Sequence, residues 1–564
     1  MIILGLIKAG LAYGSPGEIT GADPSKRYSA AVTESLRDSI KNKINQKWFS
    51  CGDEMICGIS SIPRFYDQRE YKPAWVVDDA NLKLADELVS KIRTAPEEGL
   101  DPENYHLTAI TELLGKVRKG TLIHPSNPAM AADLDLLLTD AFLLYASHLI
   151  SGRVDPENLY AEWESTSPES DLAKLLDQAL ASRKISSSLD PLGPQHQTYQ
   201  KLKLALIKYR ALVKNGGWKS VPEGPSLRIH DRDPRVEALR TRLAASGDMA
   251  DLNGGIGFEF DVDLLEGVKK FQDRHGLEKD GIVGKRTIAA MNVSAEHRLR
   301  QIELNLERWR WIPRDLGKRY ILVNIAAFKL YVVEGLETVM EMRVVVGKPF
   351  RQTPVFSRDI QYLVLNPYWN VPFTIAVKDL LPEICRNINS LYKKDISVFD
   401  SWREDAVELD PRTIPWCRLN QKNFRYKLRQ NPGPKNSLGR IKFMLPNPYS
   451  VYLHDTPQKD LFERASRNFS SGCIRLERPY DLAFYLLQNE EGQWTRENFF
   501  SYLDAGKRKV ILLKNRVPVH LLYWTAWADP DGTVHFQEDI YDRDKALDLA
   551  LKTRVTRKSI NSAN

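Results

Sequence analysis

The spacing of apolar residues changes twice along the chain. From about Ala30 to Val221 it is helical: Leu84, Leu88 and Ile92 recur at four-residue intervals, on one helix face. Ala131 to Ser151 is apolar on every side, which predicts a buried helix. A second unit runs from Asp233 to Val293. It holds an amphipathic helix with Val268, Phe271 and His275 near one face, a turn at Asp280-Gly281-Ile282-Val283-Gly284, and a helix from Thr287 that Asn292 ends. Arg298 to Trp311 reads as a mostly polar linking helix, with Leu304 and Trp309 as its apolar points. At Arg319 the pattern becomes short β-branched runs separated by turn residues: Tyr320 to Ile325, Lys329 to Val333, Met342 to Val346.

These shifts predict a multidomain α+β protein. The expected parts are an N-terminal segment (1–27), a helical scaffold domain (28–227), a small three-helix domain (228–295), a linker helix (296–318), a β domain (319–555) and a tail (556–564). A chain of 564 residues is too long for one core, so several domains are expected on length alone. About 374–440 interrupts the strand pattern with a helix-like stretch, Lys378 to Ile388, then prolines and basic residues. So long an excursion inside a compact domain predicts a lid or binding element. Arg478 to Gln488 reads as a helix. Val517 to Trp527, a turn at Asp529-Pro530-Asp531-Gly532, and Thr533 to Asp539 read as a terminal hairpin.

Composition is that of an ordinary soluble globular protein, 43% hydrophobic and 27% charged. The net charge of +7 suits a polyanionic surface nearby without requiring one. Basic residues form only short clusters such as Lys507-Arg508-Lys509, which excludes a nucleic-acid stripe. The first fourteen residues are apolar but broken by Lys8, and they lack a basic leading region. They read either as the end of a secretory signal or membrane anchor that starts outside this sequence, or as a plain apolar terminus. Five cysteines, an odd count, suggest pairs plus one reactive thiol in an exported protein. Cys51 with Cys57, and Cys385 with Cys417, are the plausible local pairs, and Cys473 is then left alone. Sequence does not fix the connectivity, and in a reducing compartment all five would stay thiols. Cys-x5-Cys is not a zinc spacing, so no metal is expected, and acyl transfer through a thiol needs no organic cofactor.

The densest chemistry lies between His454 and Arg475. Fifteen residues separate His454 from the run Ser470-Ser471-Gly472-Cys473-Ile474-Arg475. Cysteine attacks as thiolate and needs a base or cation beside it. Glycine lets a substrate carbonyl approach the backbone and leaves the Cys473 N–H free to face a developing oxyanion. Arg475 could hold a carboxylate through a bidentate pair, or brace the loop by ion pairing.

This arrangement resembles the active-site signature of the L,D-transpeptidases, in particular the long multidomain Gram-negative branch with the variant Ser-Ser-Gly-Cys-Ile-Arg. It departs from many members in carrying Ser471 where they carry His. The resemblance implies a β-sandwich-like catalytic fold with a capping insertion, Cys473 as nucleophile and His454 as base. The backbone carbonyl of Asp455 would hold the imidazole, with the Asp455 side chain as the other option. Tyr452, two residues before His454, would share its strand face and join Gly472 and the Cys473 N–H around the oxyanion. Ser470, Ser471 and Arg475, with Trp369 and Asn370 from the landmark run Asn366 to Pro372, are the implied substrate contacts.

Phe271-Gln272, Gly276-Leu277, Asp280 to Gly284 and Thr287-Ile288-Ala289 resemble, in that order, the small peptidoglycan-binding domain. Phe271, Gln272, Gly276 and Gly281 would be its marker residues, the module either contacting glycan or acting as a spacer. The implied activity is a periplasmic 3→3 crosslinking of peptidoglycan stem peptides with release of D-Ala, inhibited by carbapenems. Stem peptides, glycan strands and other cell-wall synthesis proteins are the implied partners, with an inner-membrane tether left open. Carboxypeptidase, exchange or lipoprotein-attaching activity, or a non-catalytic wall-binding scaffold, are the alternatives. A papain-like hydrolase is disfavoured because its nucleophile precedes its histidine in the chain.

Overall fold

Four separate hydrophobic cores stand behind these changes of period. The computed structural model describes residues 24–43, 50–51, 54–58, 61–119, 127–164, 171–250, 257–488, 490 and 494–552. The calls on residues 1–23 and 553–564, the apolar start and the tail, lie outside the described residues. Among the described residues no helix is long and apolar enough to cross a membrane.

The first core is helical and is organised by α1 (Pro128–Ser151), buried along nearly its whole length as its all-round apolar pattern predicts. One of its two fully buried carboxylates, Asp135, accepts the amides of Ala74, Trp75 and Val76 at 2.7–3.1 Å and the Tyr66 hydroxyl at 2.6 Å. A buried charge survives there because each of its lone pairs has a donor.

Cys51 and Cys57 are not joined, contrary to expectation. Cys51 pairs in register with Glu54, and three further residues of extended chain put Cys57 roughly 10 Å along, beyond disulfide reach. Their thiols donate instead to the carbonyls of Asp133 and Met55.

The small module packs α3 (Val262–Arg274) against Arg235–Ser246 and Lys285–Met291, with α2 (Gln197–Lys214) the scaffold's last long helix. The next helix, α4 (Ala295–Trp309), lies where the polar linking helix is expected. Its polar residues Arg298, Gln301, Asn305, Glu307 and Arg308 are all buried. Distant segments supply their partners. Gln301 donates to the carbonyls of Thr525 and Gln537, Asn305 exchanges hydrogen bonds with Thr525, and Arg308 pairs with Asp544 at 2.5 Å. Just past the helix, Arg310 donates to the Glu98 carbonyl and to Tyr199, reaching back to the scaffold. The helix is a polar keel shared by three units.

The largest core lies under one sheet built from β1 (Arg319–Asn324), β2 (Lys329–Glu334), β3 (Glu337–Gly347), β4 (Phe356–Leu365) and, after the insertion, β9 (Ile441–Met444), β10 (Leu453–His454), β11 (Asn468–Ser470), β12 (Ile474–Leu476) and β13 (Lys509–Leu522). Its order is β11-β3-β12-β10-β9-β4-β13-β1-β2, and β2 pairs with β3 as well, so the sheet closes on itself. The expected sandwich thus takes the form of one continuous sheet whose two sides face each other across the core. The helices α5 (Pro479–Leu487), as predicted, Arg496–Asp504 and α6 (Arg543–Lys552) also pack on this core. The terminal hairpin is shorter than predicted: Ala526–Ala528 pairs with Val534–Phe536, while Val517 to Leu522 pairs with β4 and β1.

The insertion folds as a cap with its own core, in which Val371, Ile384, Leu391, Val398 and Leu428 are buried. Its sheet, β5 (Trp369–Asn370), β6 (Ile396–Phe399), β7 (Glu408–Leu409) and β8 (Lys427–Gln430), has the order β5-β8-β6-β7. The Cys385–Cys417 disulfide staples it across a sequence separation of 32 residues.

Candidate active site

Strand alternation assembles the site. Leu453 and Ile474 are paired partners on the parallel strands β10 and β12, and both are fully buried in the core. Successive side chains on a strand point to opposite faces, so Tyr452 and His454, Cys473 and Arg475 all fall on the other face. Tyr452 and His454 meet edge to face at 5.7 Å. His454 stands opposite Arg475 in the register, which puts Cys473 roughly 8 Å from it at Cα, within side-chain reach.

The turn carrying the thiol is held from below. The Ser470 hydroxyl donates to the Cys473 carbonyl at 2.5 Å and accepts the Gly472 N–H at 3.2 Å. Thr353 donates to the Gly472 carbonyl at 2.9 Å and accepts the Gly347 N–H at 2.9 Å. Tyr541, from the far C-terminal segment, donates to the Gly347 carbonyl at 2.6 Å and accepts the Thr353 N–H at 3.2 Å. Gly472 has φ of 113°, a backbone shape that side chains rarely adopt, so the residue before the thiol must be glycine.

The electrostatics describe a neutral resting pair. Burial pushes the Cys473 thiol up. Hydrogen bonds from the Tyr452 amide and hydroxyl, and the charges of Lys442 and Arg475, pull the other way without prevailing. Burial first, then the charge of Arg475, pushes His454 down to about 3; the Asp455 and Leu438 carbonyls oppose this. His454 Nδ1 lies 2.5 Å from the Asp455 carbonyl. A carbonyl only accepts, so Nδ1 carries the proton and Nε2 is the basic nitrogen. The Asp455 carboxylate is engaged elsewhere, by the amides of Arg440 and Thr456 and by Lys459. Among the described residues no hydrogen bond joins imidazole and thiol; Sγ instead lies 4.0 Å from the Ser450 carbonyl.

The other expected contacts are placed as follows. Arg475 donates to Gln458 at 2.5 Å, and its Nε is buried without a hydrogen-bond partner. No carboxylate pairs with it among the described residues. Ser471 is exposed and accepts from Arg351, which also grips Asp379 of the cap through both oxygens. Trp369 and Asn370 form β5 at the root of the cap; Trp369 donates toward the Tyr452 hydroxyl.

The four module residues are not brought to this site, and they are structural where they stand. Phe271 and Gln272 are buried; Gln272 binds Asp280, the Ile282 carbonyl and the Gly281 N–H. A side chain at Gly276 would collide with Gln537, and one at Gly281 with Leu265. They build the module and its seat against the C-terminal hairpin rather than an open binding face.

Sequence reasoning missed Lys442, which stands opposite His454 on β9 with its ammonium 3.7 Å from the centre of the Tyr452 ring. It also missed the bracing roles of Thr353 and Tyr541 and the latch made by Arg351. Lys442 carries a faint signal, a lone cation between the apolar Ile441 and Phe443. Among the described residues no cluster of His, Cys, Asp and Glu could hold a metal ion.

Comparison with known proteins finds matches to three families along the chain. Residues 60–206 match a scaffold domain, residues 232–291 a domain described as "Putative peptidoglycan binding domain", and residues 318–496 an L,D-transpeptidase catalytic domain. A Haemophilus influenzae protein named "Putative L,D-transpeptidase" is 35% identical over 250 residues, 44% of this chain and 49% of that protein. The chain therefore spans about half the length of that relative. Among solved structures, an L,D-transpeptidase from Stackebrandtia nassauensis is 14% identical, covers 52% of this chain and 97% of its own, and has a TM-score of 0.21. One from Xylanimonas cellulosilytica is 14% identical, with 53% and 98% covered and a TM-score of 0.18. Scores that low carry no argument. The family match does: residues 318–496 match the L,D-transpeptidase catalytic domain, on one chain with matches to a scaffold domain and a peptidoglycan-binding domain.

Proposed function

We propose that this chain is a peptidoglycan L,D-transpeptidase acting through a Cys473 thioester in the cell envelope. The observation that carries the reading is the shared face of β10 and β12, which gathers thiol, imidazole, phenol and guanidinium over one buried floor. Sγ attacks the carbonyl that joins the diamino acid at position three of a stem to D-Ala at position four. The S–C bond forms as the C–N bond breaks, and the thiol proton passes through His454 Nε2 to the leaving amine. The Cys473 N–H and the Tyr452 hydroxyl face the developing oxyanion. The amine of a second stem's diamino acid then displaces the thiol and gives a 3→3 crosslink. Water or a free D-amino acid in its place gives trimming or exchange.

A neutral resting pair suits a buried site, because two charges formed before substrate arrives would both lose solvation. Substrate binding and proton transfer then occur together, the imidazolium being favoured by the Asp455 and Leu438 carbonyls. The test is mass spectrometry of products from purified disaccharide-tetrapeptide with the unmutated protein and with Cys473→Ala. A dimer lacking one D-Ala, made only by the unmutated protein, is the expected result. D-Ala release without dimer would make it a carboxypeptidase. No product in either sample, and no carbapenem adduct, would leave a wall-binding scaffold.

A further inference from the structure

A cavity of about 280 Å³ opens between the cap and the large sheet, next to Lys442, and its charge is of one sign. Lys442 and Arg508 come from the sheet side, Lys427 and Arg429 from cap strand β8, and no carboxylate lines it. Among the described residues none of these four cations has a carboxylate partner, in a chain with nearly as many acids (73) as bases (80). Some other cap cations do have carboxylate partners: Lys394 with Glu383, Arg403 with Asp405, Arg412 with Asp410. Four unpaired cations round one hollow repel each other, and the arrangement is stabilised when an anion enters.

What holds the cations leaves their donors available. The Arg429 guanidinium lies 4.6 Å from the centre of the Tyr368 ring and 4.3 Å from that of Phe399, and its buried Nε has no hydrogen-bond partner. Lys442 rests on Tyr452. Aromatic faces fix a cation's position without consuming its N–H groups. The cavity is smaller than those that take drug-sized ligands, so it fits one anionic end group and not a whole peptide. It also reaches the chemistry: Lys442 is in register with His454, and it interacts with both Arg508 and the Cys473 sulfur.

We propose that Lys427, Arg429, Lys442 and Arg508 form a carboxylate subsite for a stem peptide bound at Cys473. This rests on the transpeptidase reading and adds to it where an acidic end of the substrate is held. The carboxylate comes from one of two sources, the C-terminal D-Ala of the donor stem or a carboxyl group of the acceptor stem. Half the subsite is cap and half is sheet, so it is complete only when the cap is folded against the sheet.

The test separates binding from turnover. Calorimetry on the full chain carrying Cys473→Ala measures affinity for the stem tetrapeptide and for its C-terminal carboxamide. The Lys427→Gln/Arg429→Gln pair is then added. If the donor carboxylate is held, the pair weakens the acid about tenfold or more and leaves the amide unchanged. If the acceptor carboxylate is held, acyl-enzyme formation on the Cys473 protein keeps its rate. The ratio of dimer to hydrolysed product then falls about tenfold, and Arg429→Lys with Lys427 intact restores part of it. Acid and amide binding, acylation and product ratio all within twofold of the parent would overturn the proposal. So would equal losses on acid and amide with the product ratio unchanged, or tighter binding of inorganic phosphate than of the peptide. Acylation that persists while the subsite variants do nothing leaves the transpeptidase reading standing. Charge-dependent peptide binding without acylation leaves the subsite standing and removes the reaction.

Discussion

Cutting the cap's disulfide should unfold the cap without unfolding the sheet beneath it. Cys385 and Cys417 close a loop with a sequence separation of 32 residues. For such a loop the chain-entropy relation gives about 12 cal/mol/K, or about 3.7 kcal/mol at 25 °C. That is roughly a 500-fold change in the population of an opened cap. The effect should stay local, because the cap core around Val398 and Leu428 is separate from the catalytic core around Val364's neighbours Leu363 and Leu365. Hydrogen exchange read by mass spectrometry on the Cys385→Ser/Cys417→Ser protein is the assay. Amides of β6, β8 and the helix Leu381–Arg386 should exchange about a hundredfold faster or more, while β4 and β13 stay within about threefold. Loss of catalytic efficiency should follow, since β5 carries Trp369 against Tyr452. Equal acceleration in cap and sheet would refute the separate-core argument. No acceleration in the cap would refute the cross-link as its main support.

Other expectations concern the site and the keel. Gly472→Ala should cost about 1–3 kcal/mol at its φ of 113° and slow Cys473 acylation by a carbapenem about a hundredfold, with unchanged circular dichroism. Acylation within threefold of the parent would show that the turn tolerates a side chain. Because burial raises the Cys473 thiol, its alkylation by iodoacetamide should rise with pH through a midpoint above that of a free cysteine; a midpoint below 7 would mean a preformed thiolate.

His454 is held neutral down to about 3, whereas in the unfolded chain it titrates near its ordinary value. The unfolded state therefore binds more protons between those two values. Native stability should fall as pH drops through that window, and His454→Gln should flatten the slope of urea stability against pH by about one proton; an unchanged slope would contradict the burial argument. Arg308→Ala leaves the half-buried Asp544 without its cation and should lower stability by about 2–4 kcal/mol. Arg308→Met with Asp544→Leu should recover much of that in thermal melts, and failure to recover would point to a role beyond the ion pair.

The sequence by itself determined whatever is carried by short-range spacing. Tyr452 and His454, Cys473 and Arg475 are each two apart, so each pair shares a strand face wherever that strand lies. The all-round apolar run of α1 could only be buried, and the β-branched runs after Arg319 could only be sheet. Tertiary structure decided everything that depends on which distant segments meet. The two pairs share one face only because β10 and β12 pair in parallel in that register. Lys442 is one lysine among many until β9 aligns it with His454. The burial of α4's polar residues, and of Arg310 just past it, has no local signal because the groups that satisfy them, Glu98, Thr525 and Asp544, lie hundreds of residues away in sequence on either side. A buried polar group is stable only with its partner in place, and no local pattern says where that partner will come from.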